Sequence, residues 1–251
     1  RSGEKLYFGW LYIGDTAVGK GMVLCRGKKV LIRVFPSVYE ELFVYVSGLL
    51  LGSVEDCRYA LGSIELAGPR AVESMTKVFH VLLGPASSSC LKLASFLDSN
   101  QTIPKGTTYS FSIDDPSKWI KPSNFPKYEG DYNDLLIKVR TASSVERIDS
   151  SIDSLLSSEG RQESYKDQMS IKELSQYDAM LKRSVSYPKS CIPLIITKLE
   201  VNWCVILPWH WVLPVWFQLS KVTGVLLGGL EQLRQINFEN QLASYPEDYP
   251  F

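Results

Sequence analysis

Residues 58–83 read RYALGSIELAGPRAVESMTKVFHVLL, and the change of period inside this stretch decides the fold. Arg58 to Ala67 reads as a strand. Gly68-Pro69 breaks it and puts a proline at the start of a helix. Over that helix Val72, Met75, Val78, Phe79 and Leu82 recur at the three- and four-residue spacing of one helical face. The same order occurs upstream. Leu6 to Ile13 is aromatic-rich and extended, Gly14 to Gly21 is a glycine-loaded turn, and Gly21 to Phe35 resumes a strand with a turn at Arg26 to Lys29. Ser37 and Glu40 then form a capping box, and Val38, Leu42, Tyr45, Val46 and Leu49 follow helical spacing. Two strand-then-helix units imply an α+β chain whose helices cover a mixed or antiparallel sheet.

Downstream, Thr107 to Ile113 is a third strand, closed by the turn-forming Asp114-Asp115-Pro116. Between Ser143 and Ser164 eight residues are serine, with acids interspersed. Ile148, Ile152, Leu155 and Leu156 give this stretch one short amphipathic helix, within a linker or insertion. Ser170 and Glu173 open another helix, running to about Arg183. Ile192 to Leu199 and Trp203 to Leu207 are apolar, β-rich runs joined by Glu200-Val-Asn202, the pattern of two buried strands. Helices are expected over Val215 to Val222 and, after Gly228-Gly229, over Leu230 to Phe238. The expected division is 1–140 as an α+β region, 141–165 as a serine-rich acidic linker or insertion, and 166–251 as a C-terminal region.

The 251 residues suffice to bury a sizeable core, and the 45% apolar and 22% charged composition is that of globular chains. Lys plus Arg and Asp plus Glu are both 27. A neutral chain is not a nucleic-acid-binding surface all over, so any such function needs segregated charge. The five cysteines are scattered, with no Cys-x-x-Cys, which speaks against a disulfide framework or a zinc site and fits a reducing compartment. The longest apolar run, Trp203 to Phe217, holds Pro208, His210 and Pro214 and is shorter than the roughly 20 residues of a membrane span. It reads as core, and no membrane association is expected. The chain starts at Arg1 without a secretory leader pattern and reads as a piece of something longer.

Gly14-Asp-Thr-Ala-Val-Gly19-Lys20-Gly21 matches the phosphate-cradling GxxxxGK pattern but has Gly21 where a hydroxyl should reach magnesium. The strand-like Met22 to Cys25 follows, where a helix N-terminus should face the phosphates. A hairpin turn that binds no nucleotide is expected. Asp114 and Asp115 are chain neighbours whose side chains diverge in an extended segment, and they read as turn formers rather than an acid–base pair. The two histidines, His80 and His210, lie in apolar surroundings without a nucleophile or a metal-ligand pattern. No catalytic residue, metal or cofactor is expected.

What remains is basicity interleaved with aromatic rings. Residues 1–40 hold seven bases against three acids, and no acid lies between Asp15 and Glu40. Arg26, Lys28, Lys29 and Arg33 form the first candidate RNA-binding cluster. Lys118, Lys121 and Lys127, in a proline-rich stretch with Trp119, Phe125 and Tyr128, form the second. Lys182, Arg183 and Lys189, with Lys198 nearby in sequence, form the third. Such sets neutralise phosphates while rings stack on unpaired bases. Glu146 to Glu173 carries seven acids against four bases and is expected to face away from RNA.

The stretches CIPLIITK (191–198), WCVILPWHWVLPVW (203–216), GGL (228–230) and YPEDYP (245–250) resemble the POPLD family, the carboxy-terminal region of the largest protein subunit of eukaryotic ribonuclease P and ribonuclease MRP. FPSVY (35–39), the strand into Gly68-Pro69 and IDDP (113–116) resemble that subunit's part similar to the folate-binding T-protein of the glycine cleavage system. The chain departs from the pattern at Ser117-Lys118, where Arg is expected, and at Glu231 to Arg234. The resemblance implies an aminomethyltransferase-like fold over 1–140 and a POPLD region over 166–251. Trp203, Pro208, Trp211, Pro214, Trp216, Gly228 and Gly229 would be its structural core. It also implies an RNA-binding scaffold that supports removal of precursor tRNA 5′ leaders and ribosomal RNA processing. The RNA would carry the chemistry, so the chain would be no enzyme by its own residues. Partners would be the catalytic RNA, other protein subunits and, indirectly, precursor tRNA, in the nucleus and its nucleolus. Two other readings stay open: a folate-dependent one-carbon transferase-like module, and a protein–protein adaptor that never touches RNA.

Overall fold

The computed structural model describes residues 6–49, 53–83, 92, 94–96, 103–118, 122, 124, 129–142, 148–170, 172–176 and 190–249. The chain folds as two compact units, one of residues 1–59 and 228–251 and the other of residues 60–227.

The first unit is built on a three-stranded antiparallel sheet of β1 (Tyr7–Ile13), β2 (Thr16–Arg26) and β3 (Lys29–Val34), in that order. Both turns are two-residue hairpins with a glycine first, Gly14-Asp15 and Gly27-Lys28. Gly14 and Gly27 have φ of 59° and 56°, the conformation a type II′ turn needs at that place. Helix α1 (Pro36–Leu49) follows. The rest of the described unit comes from the other end of the chain. The tail rings pack on the sheet, with Trp10 edge-on to Tyr245 and Tyr249 at 5.8 and 5.2 Å and Phe35 against Tyr245 at 4.8 Å.

The second unit holds a five-stranded antiparallel sheet. Its strands are β4 (Leu61–Ala67), β5 (Val81–Leu83), β6 (Thr108–Ile113), β7 (Ile192–Lys198) and β8 (Asn202–Pro208), in the order β4-β8-β7-β6-β5. Both sides of the expected linker therefore contribute strands to one sheet. Three strands are buried on both faces, which explains why β7 and β8 read as continuous apolar runs. On one face Tyr109, Phe111, Leu194, Ile196, Trp203, Val205, Ile64 and Leu66 form the main core. Helices α2 (Ala71–Val78), α3 (Tyr132–Thr141) and α6 (Val212–Ser220) add Val72, Met75, Leu135, Val139, Val215 and Leu219 to it. Register places Lys198 on this same apolar face, directly across from Trp203.

The serine-rich stretch covers the other face. Helices α4 (Ser151–Leu155) and α5 (Ser158–Glu163) lie against β6 and β7, and Ile148, Ile152 and Leu155 are buried there. The Asp149 amide donates to Ser110 Oγ at 3.0 Å, and Asp149 Oδ1 accepts from the Ser151 amide at 2.8 Å. Over its described part, 148–164, this stretch is a layer of the fold and not a linker. Spaced isoleucines and leucines outweigh the serine content once a sheet face is there to receive them. Strand β5 and helix α3 were not expected from the sequence.

Candidate nucleic-acid interface

The β2–β3 hairpin brings most of the first basic cluster onto one surface. Arg26 pairs across from Lys29, and Met22 from Arg33. Because strand side chains alternate, Arg26, Lys29 and Arg33 share one face of the sheet. Lys28 is at the turn between them, and Lys28 and Lys29 are exposed while Arg26 and Arg33 are half-buried. The interior of that face is apolar, with Met22 and Leu24 buried and Arg33 Nη1 3.2 Å from Met22 Sδ. Like charges set directly across a strand pair cost stability. The hairpin tip therefore concentrates positive charge.

Lys20, the lysine of the GxxxxGK match, lies on the same face across from Trp10. Its ammonium donates to Tyr249 Oη and stands 4.2 Å from the Tyr249 ring centroid and 5.9 Å from that of Trp10. The stretch is a hairpin turn running into a strand, as the sequence indicated. Its lysine is held by aromatic rings rather than presented to an anion.

The second cluster loses its first member. Lys118 is buried, and its Nζ donates to Asp114 Oδ1 at 3.1 Å. Asp114 Oδ1 also accepts from the Asp115 amide, and Asp115 Oδ1 from the Ser117 amide, both at 2.8 Å. These turn bonds, expected of the aspartates, wind Pro116–Lys118 into a 3-10 turn that carries Lys118 inward. Lys118 thus belongs to the interior rather than to an RNA-facing surface. Asp115 Oδ2 is buried and accepts no hydrogen bond among the described residues, and burial pushes the carboxyl above the ordinary carboxylate range. Lys198 is also interior, and burial lowers its ammonium from 10.5 to about 8. Lys121, Lys127, Lys182, Arg183 and Lys189 lie outside the described residues.

The tryptophan-rich segment divides. Trp203 and Trp211 are fully buried, and the Trp211 indole N–H donates to Ser164 Oγ at 3.2 Å. Pro208 is buried and Pro214 half-buried. Trp216, expected in the core, is 39% exposed. The helix starts at Val212 rather than Val215, and its phase aims Val215, Gln218 and Leu219 at the sheet. Gly228 and Gly229 are exposed, and the Gly229 amide donates to Gln232 Oε1 at 2.7 Å, opening α7 (Leu230–Glu239). His80 is half-buried, whereas His210 is exposed and edge-on to Tyr165 at 4.8 Å. Among the described residues no group of three or more His, Cys, Asp or Glu could hold a metal ion, and no helix is long and apolar enough to cross a membrane.

Residues 202–251 match the model of the POPLD (NUC188) domain. All of the chain aligns, at 27% identity over 277 positions, with the ribonucleases P/MRP protein subunit POP1 of Saccharomyces cerevisiae, covering 32% of that protein. The subunit pop1 of Schizosaccharomyces pombe is 26% identical over 235 positions, with 88% of this chain and 31% of that protein covered. The chain spans about a third of the length of the curated relatives it matches. Over its whole length, then, it is similar to part of a ribonuclease P/MRP protein subunit, and its last segment is similar to the POPLD domain.

Proposed function

We propose that this chain is part of an RNA-binding scaffold subunit of the ribonuclease P/MRP ribonucleoprotein, without catalytic residues of its own, acting in the nucleus and nucleolus. The observation that carries the proposal is the similarity of the entire chain to the Saccharomyces cerevisiae subunit. The hairpin tip gives it a physical basis. Arg26, Lys28 and Lys29 gather at the tip of the β2–β3 hairpin and Arg33 lies further along the same face, a cation set suited to phosphates and indifferent to sequence. A likeness of the fold to aminomethyltransferases belongs to the same proposal, supported by the α+β build. So do roles in removing precursor tRNA 5′ leaders and in ribosomal RNA processing, with the particle RNA supplying the hydrolysis.

Charge reversal at Lys28 and Lys29 tests the RNA-binding role of the hairpin. Binding to particle RNA is expected to weaken, and the log–log salt slope to flatten by about 0.7–0.9 for each phosphate no longer neutralised. Unchanged affinity and slope in a folded double variant would remove the hairpin from the interface.

A further inference from the structure

The tail of the chain lies over one end of the cation-bearing sheet face. Strand alternation puts Lys20, Met22, Leu24 and Arg26 on one face of β2. Trp10 is across from Lys20, Arg33 from Met22 and Lys29 from Arg26. From Lys20 to Arg26 this face runs roughly 20 Å, at about 3.4 Å per residue. The tail covers its Lys20 end. Trp10 stands edge-on to Tyr245 and Tyr249, and the Lys20 ammonium donates to Tyr249 Oη. Gly19 is the seat of Tyr245, since a Cβ there would lie 2.6 Å from the Tyr245 Oη. The Gly19-Lys20 pair of the GxxxxGK match thus holds the two tyrosines of the YPEDYP motif.

This cover is thin. Tyr245 and Tyr249 are half-buried, and Pro246, Glu247 and Asp248 are exposed. Two of its backbone bonds are local, from the Asp248 amide to Ser244 O at 2.9 Å and from the Tyr249 amide to Pro246 O at 3.1 Å. Its acids are turned to α7 and to the tail itself. Glu247 pairs with Arg234, and Asp248 Oδ2 accepts from the Ser244 amide at 2.7 Å. A segment with few buried apolar contacts opens at low cost. Beneath it lies a cation beside an indole, on the face that also carries Arg33, Lys29 and Arg26. A cation and a ring side by side are what an unpaired nucleotide needs, one for its phosphate and one for its base. We propose that residues 244–249 are a strap over an extension of the RNA-binding face. An unpaired nucleotide of the particle RNA displaces it, stacking its base on Trp10 and giving its phosphate to Lys20. This rests on the reading of the hairpin as an RNA-binding surface.

The test uses the full-length protein and particle RNA. Tyr245→Ser combined with Tyr249→Ser should tighten binding by about threefold or more, because the competing strap is lost. Lys20→Ala should flatten the log–log salt slope by about 0.7, one single-strand phosphate, although Tyr249 holds this ammonium in the free protein. Trp10→Leu should weaken binding by about tenfold with the slope unchanged. In the wild-type protein, RNA should speed amide exchange at Asp248 and Tyr249, a measurement that serves if the double variant fails to fold. Equal or weaker binding by a folded double variant, an unchanged slope for Lys20→Ala, or amide exchange that RNA slows or leaves alone would overturn the proposal. Charge reversal at Lys28 and Lys29 separates the two readings. If it flattens the slope and Lys20→Ala does not, the strap falls and the hairpin interface stands. If the wild-type protein binds no particle RNA, both fail.

Discussion

Replacing Lys198 by methionine is expected to stabilise the protein near neutral pH. The side chain is 1% exposed, its Nζ has no hydrogen-bond partner among the described residues, and the Trp203 ring stands 5.5 Å from the ammonium as partial compensation. Burial lowers its folded pKa to about 8 from an ordinary 10.5. At roughly 1.4 kcal/mol per pKa unit, that difference is a cost of about 3 kcal/mol to the folded state wherever the amine is protonated in both states. Removing the cation–π pairing in Lys198→Met returns about 1 kcal/mol, leaving a net gain of about 2 kcal/mol at pH 7. The pH dependence fixes the sign. Between pH 8 and 10.5 the unfolded chain binds more protons at Lys198 than the folded one, so wild-type stability rises with pH across that window. Methionine lacks this rise, so the two proteins should converge as pH increases. Urea unfolding of both from pH 7 to above 10 measures the difference and cancels the tyrosine ionisation common to both. A variant less stable than wild type at pH 7, or a gap that does not narrow above pH 8, would refute the argument.

The other expectations concern packing and the turn aspartates. Trp203→Ala should cost about 3–5 kcal/mol in urea unfolding, whereas Trp216→Ala, on the exposed side of α6, should cost less than about 1 kcal/mol. Gly62→Ala should cost about 1–3 kcal/mol, since its methyl would displace Val212 and Trp209, and near-ultraviolet dichroism should register the moved indole. Asp115→Asn keeps the acceptor for the Ser117 amide and removes a buried charge, so it should equal or exceed wild type at pH 7. The advantage should vanish as pH falls to the ordinary carboxylate value of 3.8, because the folded state takes up its proton first. An advantage that persisted at that pH in the same unfolding series would contradict the assignment.

The strands and most of the helices were legible because their signals are local. Gly68-Pro69 separates β4 from α2, and the glycines of two-residue turns separate β1, β2 and β3. Strand β5 has three residues, too few to show a period, whereas α3 does carry a helical signal, an Asp131 N-cap followed by Leu135 and Val139 one turn apart. The place of the serine-rich stretch was hidden for a different reason. Ile148, Ile152 and Leu155 are ordinary in composition and gain meaning only from the second sheet face they fill, which forms from strands on both sides of them.

At the candidate interface the hairpin cations were readable because a turn between strands fixes their neighbours within a few residues. Lys118 and Lys198 were misplaced by the same counting of bases, for two different physical causes. Lys118 is turned inward by an aspartate turn, where Asp114 compensates its charge. Lys198 is carried inward by strand register, since alternation from Leu194 and Ile196 leaves it on the apolar face. Trp216 erred in the opposite direction. Hydrophobicity alone puts Trp216 in the core with Trp203 and Trp211, but once Val215 and Leu219 face the sheet the 100° step per residue leaves Trp216 on the flank of α6, 39% exposed. In each case the residue type was compatible with both places, and the decision lay in a phase or register. An apolar residue that phase turns outward, like a cation that register turns inward, conflicts with its surroundings in the isolated chain. For Lys198 the pH series measures that conflict directly.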